Sequence, residues 1–183
     1  MKNLRRHLSF AALVVGLVAM PREAAAQSYV ASLNLLAGAG GSLDGEPNSG
    51  FGNRTFELGV AVPTDVNVVV AVHVGQLDLS SRSTFEGLGK AKLEYGDVVG
   101  EYRFDENFYT SGIFLGLGAY RLSGDTIGGR TDETQIGAVI GVDGEFQITH
   151  RLYFLVEVSG HYANFKNSAQ TFATAHAGLA FHF

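Results

Sequence analysis

Alternation of apolar residues at every second position is the feature that most constrains how this sequence can fold. The last segment, Thr171 to Phe183, shows it most clearly, because every second residue from Ala173 onward is alanine, leucine or phenylalanine. The residues between them include a threonine and two histidines. A period of two is the pattern of a β-strand, whereas apolar residues on a helix recur every three or four positions. The sequence therefore predicts an all-β chain whose strands have one apolar face and one more polar face.

The first 26 residues have the composition of a secretory signal peptide. They combine a basic start, a largely apolar run over residues 8–20 and three alanines at 24–26. The run is too short for a membrane-spanning helix, which needs about 20 apolar residues. We expect residues 1–26 to be removed as a signal peptide and residues 27–183 to form one outer-membrane β-barrel domain.

Charge and composition exclude several classes of protein. Residues 27–183 contain nine basic and seventeen acidic residues, a formal charge of −8, which argues against nucleic acid as a partner. The chain has no cysteine, so no disulfide stabilises it. No stretch after residue 26 approaches 18 uninterrupted apolar residues, which excludes a helical membrane protein.

Turn-forming residues divide the chain into eight predicted strands. Three short turns alternate with four longer glycine- and serine-containing loops, the turns at 63–65, 105–107 and 149–151 and the loops at 39–52, 80–89, 122–132 and 164–169. An even number of strands with this alternation is typical of outer-membrane barrels, whose short turns lie in the periplasm. We predict a closed antiparallel eight-stranded up-and-down transmembrane β-barrel.

The two faces of the predicted strands favour a membrane barrel over a secreted soluble β-barrel, the alternative. One row is bulky, apolar and nearly free of charge. The other row contains small residues together with ten ionisable ones: Glu57, His73, Asp97, Glu101, Arg103, Asp143, Glu145, Glu157, His161 and His176. Such a row cannot line the dry core of a soluble barrel, so we expect it to form a paired polar network in the lumen. In strand four we choose the register that hides Asp97, Glu101 and Arg103.

The signal-like start, the eight alternating strands and the terminal Phe181-His182-Phe183 resemble the small outer-membrane β-barrel family that includes the OmpA- and OmpX-type barrels. The resemblance implies export by the signal peptide to the outer membrane of a Gram-negative bacterium. Outer-membrane lipids and lipopolysaccharide would surround the barrel. It also implies that Phe181 and Phe183 in the C-terminal strand form the signal for the barrel assembly machinery.

The sequence predicts no catalytic, cofactor-binding or metal site. Glu157, Ser159 and His161 share one face of strand seven and invite comparison with an acyl-transfer triad. Residues two apart on a strand are separated by about 6.6 Å, so the trio needs a contact from another strand. His73, His161 and His176 are an alternative metal site, but they come from three strands, and histidines satisfied within the core are the more common outcome.

These features predict an integral outer-membrane protein with a structural or surface-interaction role. The lumen is expected to be plugged, because eight strands enclose only enough space for their own side chains. The extracellular loops are the expected position of any surface ligand. Lys90 and Lys92, near the outer rim, are candidates for contact with lipid phosphates. A lipid A- or phospholipid-modifying enzyme and a narrow channel are the alternatives.

Overall fold

A computed structural model describes residues 29–43, 51–80, 88–105, 109–126, 129–165 and 168–183. The proposed signal peptide, residues 1–26, lies outside these ranges. Eight strands are present: β1 (Ser32–Ser42), β2 (Asn53–Pro63), β3 (Val68–Ser80), β4 (Leu88–Asp105), β5 (Tyr109–Thr126), β6 (Gly129–Gln147), β7 (Leu152–Phe165) and β8 (Ser168–His182). The described ranges contain no helix long and apolar enough to cross a membrane.

The strands form a closed antiparallel barrel. Each strand pairs with its neighbours in the chain, and β1 pairs with β8. Along this seam Ser32 lies opposite His182 and Ser42 lies opposite Phe172. Closure removes both sheet edges, whose unpaired backbone groups would each cost several kcal/mol in hydrocarbon. The predicted eight-stranded up-and-down barrel is confirmed.

Over the part of the barrel nearer the chain termini, apolar side chains point outward and ionisable side chains point inward. Leu115, Leu117 and Ile140 are 64%, 66% and 59% exposed. On β4, Val98 and Tyr102 are exposed while Asp97, Glu101 and Arg103 are buried. The register predicted for strand four agrees with the structure.

The strands extend further than the sequence predicted at the end opposite the termini. β5 continues to Thr126 and β6 begins at Gly129, so most of the predicted loop at 122–132 is strand. β4 begins at Leu88, and β7 and β8 take up most of the predicted loop at 164–169. β1 likewise runs to Ser42, into the predicted loop at 39–52, so the loop predictions were too long at all four positions.

This extended part of the barrel, here called the distal end, comprises residues 76–79, 91–95, 120–123, 132–135 and 163–165 with the adjoining strand residues. Here the polarity of the two faces is the reverse of that in the part of the barrel nearer the chain termini. The outward row is polar and comprises Arg54, Gln76, Asp78, Lys92, Glu94, Arg121, Ser123, Asp132, Thr134 and Asn164. The inward row forms a buried apolar cluster of Leu77, Leu79, Ala91, Leu93, Tyr95, Tyr120, Leu122, Ala163, Phe165 and Phe172. The distal end therefore has the organisation of a soluble barrel.

Ion pairs cover the exterior of the distal end. Arg121 Nη2 lies 2.7 Å from Asp132 Oδ2, and Arg121 Nη1 lies 3.4 Å from Glu94 Oε2. Lys92 Nζ lies 2.9 Å from Glu94 Oε1. Lys92, a predicted lipid-phosphate contact, is thus already paired with a carboxylate, and the side chain of Lys90 lies outside the described part. Charges of both signs make this surface suited to water, whereas the apolar band below it is suited to lipid.

A glycine permits the close packing that holds the central aromatic ring in the lumen. Gly75 on β3 lies opposite Tyr95 on β4, and the Tyr95 ring covers it so closely that a Cβ atom would overlap the ring. Replacing Gly75 by alanine should displace Tyr95 and lower the free energy of unfolding by about 1–3 kcal/mol. Urea titration of the barrel in detergent measures this change.

Gly100→Ala is the matched control, because the added Cβ on the outward face of β4 meets no described atom within 4 Å. We expect this change to alter stability by no more than about 0.5 kcal/mol. Equal losses for the two variants would show that the Tyr95 contact does not restrict Gly75.

Candidate functional site in the barrel lumen

Arg103 on β4 is the centre of the ionic cluster nearest the chain termini. Its guanidinium donates to Glu101 Oε1 over 2.5 Å and to Glu145 Oε2 over 3.2 Å. Nη1 also donates to the Tyr29 hydroxyl at 2.6 Å. The three charged side chains are at most 5% exposed. A buried guanidinium bonded to two carboxylates is the arrangement in which buried charge is tolerated.

His182 joins this cluster although it was not among the predicted network residues. Its Nε2 lies 3.3 Å from Glu145 Oε2. Its ring stacks between the rings of Tyr29 and Tyr153, with centroids 4.0 and 4.1 Å away. The sequence does contain a signal for His182, because it occupies the inward row of β8 together with His176.

Asp143 lies beside the Arg103 cluster. Both Asp143 Oδ1 and Glu101 Oε1 lie over Gly112 on β5, where a Cβ atom would collide with them. Asp143 is less buried than the other nine predicted network residues. Gly112 thus provides the space in which two carboxylates from β4 and β6, the strands on either side of β5, approach each other.

A second cluster, here called the central cluster, lies deeper in the lumen and joins β2, β3, β4, β7 and β8. It consists of Glu57, His73, Asp97, Glu157 and His176. His73 Nδ1 lies 3.2 Å from Asp97 Oδ1 and 3.8 Å from Glu57 Oε1. His176 Nδ1 lies 3.6 Å from Glu157 Oε1. Five of the ten predicted residues therefore converge at one place.

Two neutral side chains connect the central cluster to the lumen wall. The Tyr95 hydroxyl donates to Glu57 Oε2 at 2.7 Å, and Thr55 Oγ1 lies 3.0 Å from His176 Nε2. Among the described residues, Glu57 Oε1 and His176 Nδ1 have no hydrogen-bond partner. Buried polar atoms in folded proteins nearly always have one, and both carboxylate oxygens of Asp97 and, in the Arg103 cluster, His182 Nε2 also lack one.

Ser159 and His161 on β7 meet directly, contrary to the argument from strand spacing. Ser159 Oγ lies 3.0 Å from His161 Nε2, because both side chains lean along the strand toward each other. Thr174 Oγ1 lies 2.6 Å from Ser159 Oγ, and the Tyr120 hydroxyl lies 3.1 Å from His161 Nδ1. Glu157 pairs with His176 instead.

The Ser159–His161 pair lacks two parts of an acyl-transfer site. The second nitrogen of His161 faces a phenol rather than the carboxylate that would stabilise an imidazolium. Both residues are buried, at 3% and 2% exposure, beneath the apolar cluster of the distal end. The three histidines proposed as an alternative metal site also diverge, since His161 binds Ser159 whereas His73 and His176 face the central cluster.

The C-terminal aromatic residues face outward at the end of β8. Phe181 and Phe183 are 39% and 58% exposed, and their rings meet edge to face with centroids 5.0 Å apart. The Phe183 backbone N–H donates to the carbonyl of Ala31, the residue just before β1, at 2.9 Å. Their role as a signal for the assembly machinery stays a prediction.

Comparison with known proteins identifies the fold. No family model matches the sequence, and no curated protein matches it. Among solved structures, Neisserial surface protein A (NspA) is similar, with a TM-score of 0.69 and 14% identity over 84% of this chain and 97% of NspA. The N-terminal β-barrel domain of Pseudomonas aeruginosa OprF has a TM-score of 0.58 and 13% identity over 83% of this chain and 97% of that domain. Ail, the attachment invasion locus protein of Yersinia pestis, has a TM-score of 0.51 and 17% identity over 83% of this chain and 99% of Ail. The chain therefore has the fold of the small eight-stranded outer-membrane β-barrels.

Proposed function

We propose that this protein is an integral outer-membrane barrel with a structural and surface-interaction role, and that its distal end stands above the lipid. The observation that supports this is the inversion of both faces at the distal end. The exterior changes from apolar to polar at the height where the interior changes from charged to apolar. A single aqueous or lipid environment around the whole barrel does not account for that change.

A protruding end with its own apolar core is a rigid support for contact with other molecules. The connections between β1 and β2 and between β3 and β4 begin from it. Their residues 44–50 and 81–87 lie outside the described ranges, so the surface ligand predicted for the loops is a proposal. The structurally similar Ail has been crystallised with the heparin analogue sucrose octasulfate. In this chain Arg121 and Lys92 are paired with carboxylates, which favours a partner of mixed charge over a polyanion.

The lumen supports a plugged barrel rather than a channel or an enzyme. Phe114, Tyr120 and Phe172 are at most 2% exposed and fill the interior at two heights. Ser159 and His161 are at most 3% exposed, which argues against their contact with a lipid substrate. Outer-membrane lipids, lipopolysaccharide and the barrel assembly machinery are the partners that this proposal implies.

The absence of native cysteine allows a direct test of location and orientation. Ser123 and Ser111 both lie on the outward face of β5, Ser123 in the distal end and Ser111 near the opposite rim. In intact cells a membrane-impermeant maleimide should label Ser123→Cys, because that position stands outside the lipid. Ser111→Cys should react only after the outer membrane is permeabilised.

The two variants are controls for each other, since the residue type, the strand and the face are the same. Labelling of both in intact cells, or of Ser111→Cys alone, would overturn the proposed orientation. Recovery of the protein in the soluble fraction would overturn the membrane assignment itself.

A further inference from the structure

We propose that the central cluster binds a divalent transition-metal cation through His73, Glu57 and Glu157. One ligand atom from each residue lies within 4.8 Å of the other two. Metal bonds of about 2.1 Å bring such atoms to about 3.4 Å from one another, so small side-chain rotations complete the set. This inference goes beyond the proposed surface role, because it concerns the interior of the barrel.

Four unsatisfied atoms of the central cluster, two of them the carboxylate oxygens of Asp97, point to a missing ligand at this place. Glu57 Oε1 belongs to a side chain that is 2% exposed, and no described residue donates a hydrogen bond to it. His176 Nδ1, on a fully buried side chain, also has no hydrogen-bond partner among the described residues and lies 3.6 Å from Glu157 Oε1. Since His176 is not one of the three ligands, its orientation toward Glu157 is an independent observation.

The charges of the central cluster also favour a cation. Glu57, Asp97 and Glu157 contribute three carboxylates, whereas the only basic groups in the cluster are His73 and His176. Two neutral imidazoles would leave all three negative charges uncompensated in a buried site, which is strongly unfavourable. A bound dication would compensate two of these three charges. Arg103 cannot serve this purpose, because it is bonded to Glu101 and Glu145.

The donor set selects the kind of metal. Imidazole nitrogen suits Zn²⁺ and other transition metals, while carboxylates also accept Mn²⁺. Ca²⁺ and Mg²⁺ prefer sites made only of oxygen atoms. We therefore expect Zn²⁺ or Mn²⁺ rather than Ca²⁺. If Nε2 of His73 binds the metal, its Nδ1 would donate to Asp97, 3.2 Å away, and that carboxylate would orient the imidazole as carboxylates do around many metal sites.

The experiment loads the barrel during folding, because the apolar cluster of the distal end covers the site. The whole barrel is unfolded with a chelator and refolded in detergent with Zn²⁺, Mn²⁺, Ca²⁺ or EDTA. After desalting, bound metal is measured by mass spectrometry and the midpoint of thermal unfolding is recorded. We expect one equivalent of Zn²⁺ or Mn²⁺ to be retained and the midpoint to rise by several degrees over the EDTA sample.

His73→Gln and His161→Gln form a matched pair, since both remove a buried lumen histidine from the interior of a strand. His73→Gln should weaken metal binding about tenfold or more, whereas His161→Gln should keep the stoichiometry of the unaltered chain. Glu157→Gln provides a second ligand variant if His73→Gln does not fold. Three outcomes would overturn the proposal: no retained Zn²⁺ or Mn²⁺, a preference for Ca²⁺, or equal binding by the two histidine variants.

Discussion

Replacing Arg103 by methionine should lower the free energy of unfolding by about 3–5 kcal/mol. The guanidinium bonds to Glu101 and Glu145 in a part of the lumen from which water is excluded. Methionine fills a similar volume, but it leaves two buried carboxylates close together without a cation. The loss arises from that uncompensated charge and not from a cavity. Urea titration of the refolded barrel measures it.

The triple variant Arg103→Met/Glu101→Gln/Glu145→Gln separates charge from packing. If uncompensated charge is the cause, neutralising both carboxylates should restore most of the lost stability, because buried ion pairs are often replaceable by neutral groups as a unit. His182 and Tyr29 keep their positions in this variant and report on the remaining packing. A triple variant as unstable as the single one would show that Arg103 acts through shape rather than charge.

The faces of the strands could be predicted from the sequence because lipid imposes a simple rule on them. An outward residue within hydrocarbon must be apolar, so Ile113, Leu115 and Leu117 repeat at every second position whatever their neighbours are. The inward row then follows by alternation alone. This is why the ten ionisable residues were all placed on the inward row before any contact was known.

The distal end could not be predicted from an alternating pattern in which the apolar residues always occupy the outward face. On β3 every even position from 68 to 74 is valine, but positions 76 and 78 are polar and the apolar residues there are Leu77 and Leu79. The strand itself runs on without a break. The same positions face inward along the whole strand, but at the distal end the inward row becomes apolar and the outward row becomes polar. When the apolar residues are assumed to stay on one face, their switch to the other face looks like the end of the strand. This explains why the predicted loops were too long. The signal was present, and in the proposed orientation it marks the height at which lipid gives way to water.

The sequence also could not predict which lumen residues pair with each other. Pairing depends on how deep each residue lies in the lumen and on which strand of the closed barrel it sits. Glu57 and His176 are separated by most of the chain, yet the central cluster brings them together across the β1–β8 seam. Ser159 and His161 illustrate a second limit, since backbone rise fixes their Cα separation but not how far their side chains lean. Alternation predicts which face of a strand a residue occupies, whereas the contacts of that residue follow only from the three-dimensional structure.

Replacing Ile140 by arginine should cost about 2–4 kcal/mol in a lipid bilayer. Ile140 is 59% exposed on the outward face of β6, where it lies opposite Leu115 and Gly160 in the apolar band. A guanidinium there must lie in hydrocarbon or thin the membrane to reach water. Urea titration of the barrel folded into phospholipid vesicles measures this cost.

Thr134→Arg is the control on the same strand and face, six residues toward the distal end and outside the apolar band. Because the exterior at that height is already charged, we expect a change within about 0.5 kcal/mol. The difference between the two variants therefore measures the depth of position 140 relative to position 134 and not a general intolerance of β6 to arginine. Equal stability of the two variants would show that the exposed apolar band does not face hydrocarbon. The leucines and isoleucines of the band would then have to be covered by another protein surface.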